Sequence, residues 1–391
     1  MAIFNSLGSN YSRTFVLKSL FAFGSPKDTQ TVREHLKSLF GGKVTLTYKG
    51  RQALELALRR SGLPAGSRVG INGFTCYVVY QAVKNAGLEP VMIDVAKDLL
   101  HFDADGLEQT RNLKAVIIQN TFGLVVDIVA IEKVVKQNKL LLIEDLAHSF
   151  GAVYDDGREA GTVGDLVMLS FSQDKQQDVV AGGALIDRRQ KAVRDNALPQ
   201  ASLWVRAKNR TYPFWSGLIR TGYSLGLGRY IHFVLKNLHL LATPMGDNKQ
   251  GLASMSFGAA RLLKNRLQNQ ASETLHRRHI AAVYQKELSK NLQYAFVGEP
   301  SFVRFPVRVK NPARVITALK RREIYIGDTW YDAPIAPKKY MAHVQYESGQ
   351  CPNVEKLVTE IVNLPTHKHV SPQQAKKICD IVNQTQKDEQ K

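Results

Sequence analysis

Three short aliphatic runs, Leu140-Leu-Leu-Ile-Glu144, Leu166-Val-Met-Leu-Ser-Phe171 and Gly183-Ala-Leu-Ile186, follow one another closely in the chain. Each is apolar along most of its length instead of alternating, the pattern of a strand covered on both faces. Four similar runs precede them, at Val44–Tyr48, Arg68–Asn72, Pro90–Asp94 and Ala115–Gln119. Helical patterns lie between. Gln52–Arg60 carries Leu54, Leu56, Ala57 and Leu58. Thr75–Ala86 stops at Gly87, a residue suited to the left-handed turn that ends a helix, and Asp127 is placed to cap the helix holding Ile128, Ile131, Val134 and Val135. The alternation predicts βαβ units, hence an α/β fold with a mainly parallel central sheet flanked by helices.

The pattern changes further on. Ser256–Leu288 reads as one long helix, Phe302–Val309 and Glu323–Ile326 as strands, and Asn353–Asn363 and Ser371–Thr385 as helices, the last with Ser371 as cap and Pro372 at its first position. This predicts a smaller α+β unit. The expected division is an N-terminal segment 1–29, a large α/β domain 30–250 and a small C-terminal domain 251–391. Within the large domain, Asn196 to Gly246 stands out because it holds no Asp or Glu. Arg206, Lys208, Arg210, Arg220, Arg229 and Lys236 alternate there with Trp204, Tyr212, Phe214, Trp215, Tyr223, Tyr230 and Phe233. Cations interleaved with aromatics suit peripheral contact with an anionic membrane, and equally suit packing at an interface of the protein itself.

Composition narrows the class. The chain has 391 residues, 44% of them hydrophobic and 22% charged, which excludes wholesale disorder. No apolar run is long enough to span a bilayer, and the first apolar patch carries Arg13 and Lys18, so a cytoplasmic protein is expected. Cys76, Cys351 and Cys379 fit neither a disulfide framework nor a metal site. The net charge of +19 biases the surface toward polyanions, but no reading helix or RNA-binding signature accompanies it, so no nucleic acid is expected as partner.

Ligands of open α/β sheets sit beyond the carboxyl ends of the strands, so the polar residues after each run are the ones to weigh. Gly50 and Arg51 open a helix whose free amides suit a phosphate. Asp145 and His148 follow the fifth run, where a buried carboxylate calls for a proton or cation. Ser170 ends the sixth run, and Lys175 follows where lost solvation would lower its pKa and make it a nucleophile. Singly these have plain structural readings: a helix start, a surface Asp beside a packed His, a solvated loop Lys. Together they are the groups that pyridoxal phosphate demands of a protein.

On these residues, the stretch from about Thr45 to Ile186 resembles the DegT/StrS-type nucleotide-sugar aminotransferases, fold type I pyridoxal-phosphate enzymes. The resemblance continues more weakly through Ala259–Leu288 and from Cys351 to His367. It implies that Lys175 joins the cofactor, Asp145 pairs with the pyridine nitrogen and His148 lies beside the phenolic oxygen, while Ser170, Gly50 and Arg51 hold the phosphate. It implies a homodimer that moves an amino group, with glutamate as expected donor, onto a keto group of a nucleotide-linked sugar for surface glycans. Three departures stand out. Register puts Cys76 where relatives stack an aromatic ring on the cofactor, which makes adjacent Tyr77 the expected substitute. Arg51 replaces a small hydroxyl residue, and Leu252-Ala-Ser-Met255 stands where relatives carry Asn-x-Arg-Met. Arg322 and Trp330, beside the loop Asp328-Thr-Trp-Tyr-Asp-Ala-Pro334, are candidates for substrate contact. The competing expectation is a catalytically inactive scaffold of this fold at a membrane surface.

Overall fold

A computed structural model describes residues 2–189, 198–243, 251–326 and 331–388. The ends of the basic segment, Asn196 and Gly246, and the candidates Asp328 and Trp330 lie outside these residues.

The seven runs form one sheet: β1 (Lys43–Thr47), β2 (Arg68–Asn72), β3 (Glu89–Ile93), β4 (Leu113–Gln119), β5 (Leu141–Asp145), β6 (Leu166–Ser170) and β7 (Gly183–Asp187), in spatial order β1-β7-β6-β5-β4-β2-β3. Six strands run parallel and β7 alone runs against its neighbours β1 and β6. The continuous apolar runs are explained by burial: Val116, Ile117, Ile118, Ile143, Leu166, Val167, Ala184 and Leu185 are fully enclosed. Side chains alternate between two packed layers, so Ile117 and Ile143 enter one core cluster and Val116 and Ile118 the other.

Helices Gly50–Arg59, Tyr77–Asn85 and Ile128–Gln137 connect the strands, and Asp127 accepts from the Ala130 amide as cap. Gly87 takes a positive φ of 76° after the second of them. The helical pattern of Ser256–Leu288 is in fact two helices, Phe257–Leu267 and Gln270–Glu287. The helix expected over Asn353–Asn363 ends at Glu360. Ile361–Pro365 is instead a strand, β9, antiparallel to β8 (Arg304–Arg308). Its inter-strand hydrogen bonds with distant β8 override the local helical spacing.

The N-terminal segment packs against the C-terminal part. Ile3–Phe4 pairs with Ile324–Tyr325, Asn5 Nδ2 donates to the Asn363 carbonyl, and the Arg304 guanidinium donates to the Asn5 carbonyl. The basic segment contributes two helices, Leu203–Thr221 and Leu227–Asn237. Among the described residues, no helix is long and apolar enough to cross a membrane.

Candidate active site

Parallel neighbours place β4, β5 and β6 side by side with their carboxyl ends together, and a cleft of about 840 Å³ opens there. Gly50, Arg51, Asp145, His148, Ser170 and Lys175 all line it. The helix Gly50–Arg59 aims its N-terminus into this space, because β1 ends at Thr47 and Lys49 serves as the extended cap. Contact with the sheet is close. A Cβ on Gly50 would lie 2.6 Å from Ser170 Cβ, and one on Gly183 would lie 2.6 Å from the Gly50 nitrogen. Only glycine allows the helix start, the end of β6 and the beginning of β7 to meet. Gly50→Ala is expected to destabilise the fold by about 1–3 kcal/mol through overpacking and to weaken anion binding at the helix start, measurable by thermal melts with and without phosphate.

Asp145 is buried at the end of β5. One carboxylate oxygen accepts from the Ala147 amide at 2.9 Å and the other from Gln119 Nε2 at 3.0 Å. Gln119 is itself held by Thr75 Oγ1 at 2.5 Å. Both of these donors are neutral, and burial pushes the Asp145 carboxyl up to about 6. The group is therefore fixed in direction, and neither hydrogen-bond donor offsets its charge.

Lys175 Nζ lies 2.9 Å from His148 Nε2. Burial lowers the pKa of the lysine, and burial together with Lys175 holds the imidazole well below its usual value. The Phe122 amide donates to His148 Nδ1 at 3.2 Å, which leaves the ring proton on Nε2. That proton faces the Lys175 amine and the Tyr331 hydroxyl, 3.3 Å away. Burial biases the amine toward the neutral form, whose lone pair can accept from Nε2–H.

The loop that carries Lys175 is strained and clamped. Asp174 and Val180 have φ of 63° and 73°, and Asp178 between them accepts from both amides. Tyr11 Oη donates to Asp178 at 2.7 Å, and Asn10 Nδ2 donates to the Lys175 carbonyl at 3.2 Å. Tyr11→Phe is expected to lower stability by about 1 kcal/mol, as read from denaturant unfolding.

Tyr77 is the one expected cofactor residue that does not line the cleft. Its ring stacks on Tyr340, centroids 4.7 Å apart and 5° from parallel. Cys76 is the helix cap, so its side chain enters the cleft, and one residue further along the helix turns Tyr77 about 100° away. Arg322 is exposed and likewise not part of the lining. Phe74, which lies near Cys76, and Tyr331, within the loop Asp328–Pro334, do line it although sequence reasoning gave them no role, and so does Gln119, which it passed over. Gln119 was findable, since it ends an apolar run and pairs in register with Asp145.

A family model for the DegT/DnrJ/EryC1/StrS aminotransferases matches residues 25–213 and 247–383. GDP-perosamine synthase of Escherichia coli O157:H7 is 25% identical, over 87% of this chain and 85% of its own. A pleiotropic regulatory protein of Geobacillus stearothermophilus is 24% identical, over 85% and 82%. The fold is also that of a sugar aminotransferase of Streptococcus pneumoniae solved in its PMP form, with TM-score 0.74, 17% identity and coverage of 97% and 98%. The PLP form of the same protein superposes with TM-score 0.73. The cleft suits such a cofactor on its own chemistry. A buried carboxylate held only by neutral hydrogen-bond donors matches a protonated ring nitrogen, a helix N-terminus against Ser170 matches a phosphate, and a buried amine of lowered pKa matches an aldehyde.

Proposed function

The chain belongs to the DegT/DnrJ/EryC1/StrS aminotransferase family, and on that premise we propose that this cleft transfers an amino group to a keto group of a nucleotide-linked sugar. The observation that carries the reading is the joint placement of Asp145, Ser170, Lys175 and the Gly50–Arg51 helix start around one cleft. Relatives named for sugar substrates support the acceptor class. Bound there, pyridoxal phosphate supplies an electron sink that stabilises negative charge at the carbon beside the amino group. Asp145, Lys175, His148, Ser170, Gly50 and Arg51 are the residues that would hold it.

The chain's own groups have separable tasks. The Asp145 carboxylate, aimed by Ala147 and Gln119, keeps a proton on the facing nitrogen. Lys175 Nζ, biased by burial toward its neutral form, takes a proton from substrate carbon and returns it. His148 Nε2–H donates toward Nζ and so orients its lone pair, while the Phe122 amide fixes the imidazole tautomer. Phe74, fully buried in the lining, walls the cleft against water, with the Phe122 ring packed against it.

Glutamate is the proposed donor, a homodimer the proposed assembly and the cytoplasm the proposed compartment. The basic segment 196–246 is proposed to touch an anionic membrane surface. The test of the activity is the visible spectrum of the protein loaded with pyridoxal phosphate, before and after glutamate. Conversion to the amine form is expected, and a loaded wild type that glutamate leaves unchanged would remove glutamate as donor. A wild type that takes up no cofactor would overturn the whole reading.

A further inference from the structure

Fifteen large hydrophobic side chains stand exposed among the described residues, and twelve of them fall in two parts of the chain, Leu17–Phe23 and Leu203–Leu238. The two parts are adjacent in space. Helix Arg13–Leu20 packs against helix Leu203–Thr221, and the Arg210 guanidinium lies 4.7 Å from the Phe23 ring centre. Helix Leu203–Thr221 is apolar on two sides. Val205, Tyr212, Ser216 and Ile219 face the interior, while Trp204, Phe214 and Leu218 recur at helical spacing on the outside. In helix Leu227–Asn237 the same division places Leu227, Tyr230 and Phe233 outward, with Leu225 at the preceding turn 86% exposed. Arg229 and Lys236, at i,i+4 and i,i+3 spacing from Phe233, are exposed along the edge of that apolar stripe.

The charge of this surface selects its partner. Residues 1–27 contain no Asp or Glu, and neither do residues 196–246. Arg13, Lys18, Arg206, Lys208, Arg210, Arg229 and Lys236 border the apolar side chains. A two-fold contact would press this face against its own copy, cation against cation, with no carboxylate in either segment to neutralise them. A bilayer with anionic headgroups offers the opposite charge at its surface and an apolar layer just beneath, which matches cations flanking outward Trp, Tyr, Phe and Leu.

We infer that helices Arg13–Leu20, Leu203–Thr221 and Leu227–Asn237 form one platform that seats on an anionic phospholipid bilayer. The inference rests on membrane contact by segment 196–246 and adds the N-terminal helix with Phe21 and Phe23 to it. The platform lies outside the cleft, so binding holds the protein at the membrane surface without altering the residues that face substrate.

Flotation with vesicles of equal parts phosphatidylglycerol and phosphatidylcholine tests it. The wild type is expected to float at low salt, to stay behind with phosphatidylcholine alone, and to be released in about 1 M salt, where the Debye length is about 3 Å. Tyr230→Ser/Phe233→Ser and, separately, Leu17→Ser/Phe21→Ser are each expected to weaken binding about ten-fold or more, with the cofactor spectrum unchanged. A wild type that never floats overturns both the platform and the simpler contact. Loss in the first double variant alone overturns the platform and leaves contact by segment 196–246. Unchanged flotation with lost self-association in sedimentation assigns the face to a second copy of the chain, and also overturns the inference.

Discussion

Lys175→Ala protein incubated with pyridoxal phosphate shows none of the visible band of the covalently held cofactor, and its transfer rate falls by at least about 10³-fold. The size of the effect follows from the number of tasks this one amine performs. Among the described residues, the lysine amines in the lining of the cleft are its buried Nζ and that of Lys49, which donates to the Thr243 carbonyl at 3.1 Å. That bond holds the Lys49 amine away from the Lys175 position. The fold should be little affected, because removing a buried amine of lowered pKa relieves a desolvation penalty, and the Asn10 contact to the Lys175 backbone carbonyl remains. A melting temperature close to that of the wild type beside a lost band separates chemistry from folding. A normal band in the variant would take the cofactor bond away from Lys175.

Why the sequence reveals the sheet so fully is a matter of burial. Strands covered on both faces must be apolar throughout, so β2, β4 and β6 are visible as continuous runs, and Arg68–Asn72 is recovered to the residue. Where structure depends on distant partners the signal fades. Ile361-Val-Asn-Leu-Pro365 carries β-branched residues, yet its strand exists only because Arg304–Arg308 pairs with it. The break between Leu267 and Gln270 lies in a polar stretch without Gly or Pro, so nothing local announces it.

The site divides along the same line. Asp145, Ser170 and the Gly50 helix start are legible because strand ends and helix starts have fixed places in an open sheet. Tyr77 illustrates the limit of register. Position along the chain located the helix start correctly, but the side chain entering the cleft depends on whether the cap is Cys76 or the residue after it. Tyr331, Asn10 and Tyr11 reach the lysine neighbourhood from remote parts of the chain, and no periodicity connects them to it.

Asp145→Asn is expected to make the cofactor-free protein more stable and the enzyme nearly inactive. The Asp145 carboxyl titrates near 6 in the folded chain, against an ordinary value of 3.8, because burial disfavours its charge. A raised acid pKa contributes stability that is complete below about pH 4 and is lost as pH rises through about 6. Two pK units correspond to about 3 kcal/mol withheld at neutral pH. Asparagine does not titrate. It keeps an acceptor for the Ala147 amide but loses the second acceptor for Gln119, so the net gain should be about 1–2 kcal/mol at pH 7 and should vanish near pH 4. Denaturant melts of the two cofactor-free proteins across that range read the difference directly. Catalysis moves the other way, because a neutral amide cannot hold a proton on the cofactor's nitrogen, and kcat should fall by about 10²–10³-fold. The carboxylate is then a group whose charge destabilises the empty fold and is matched only when a cation sits before it, and an asparagine variant that is less stable at neutral pH would deny it that role.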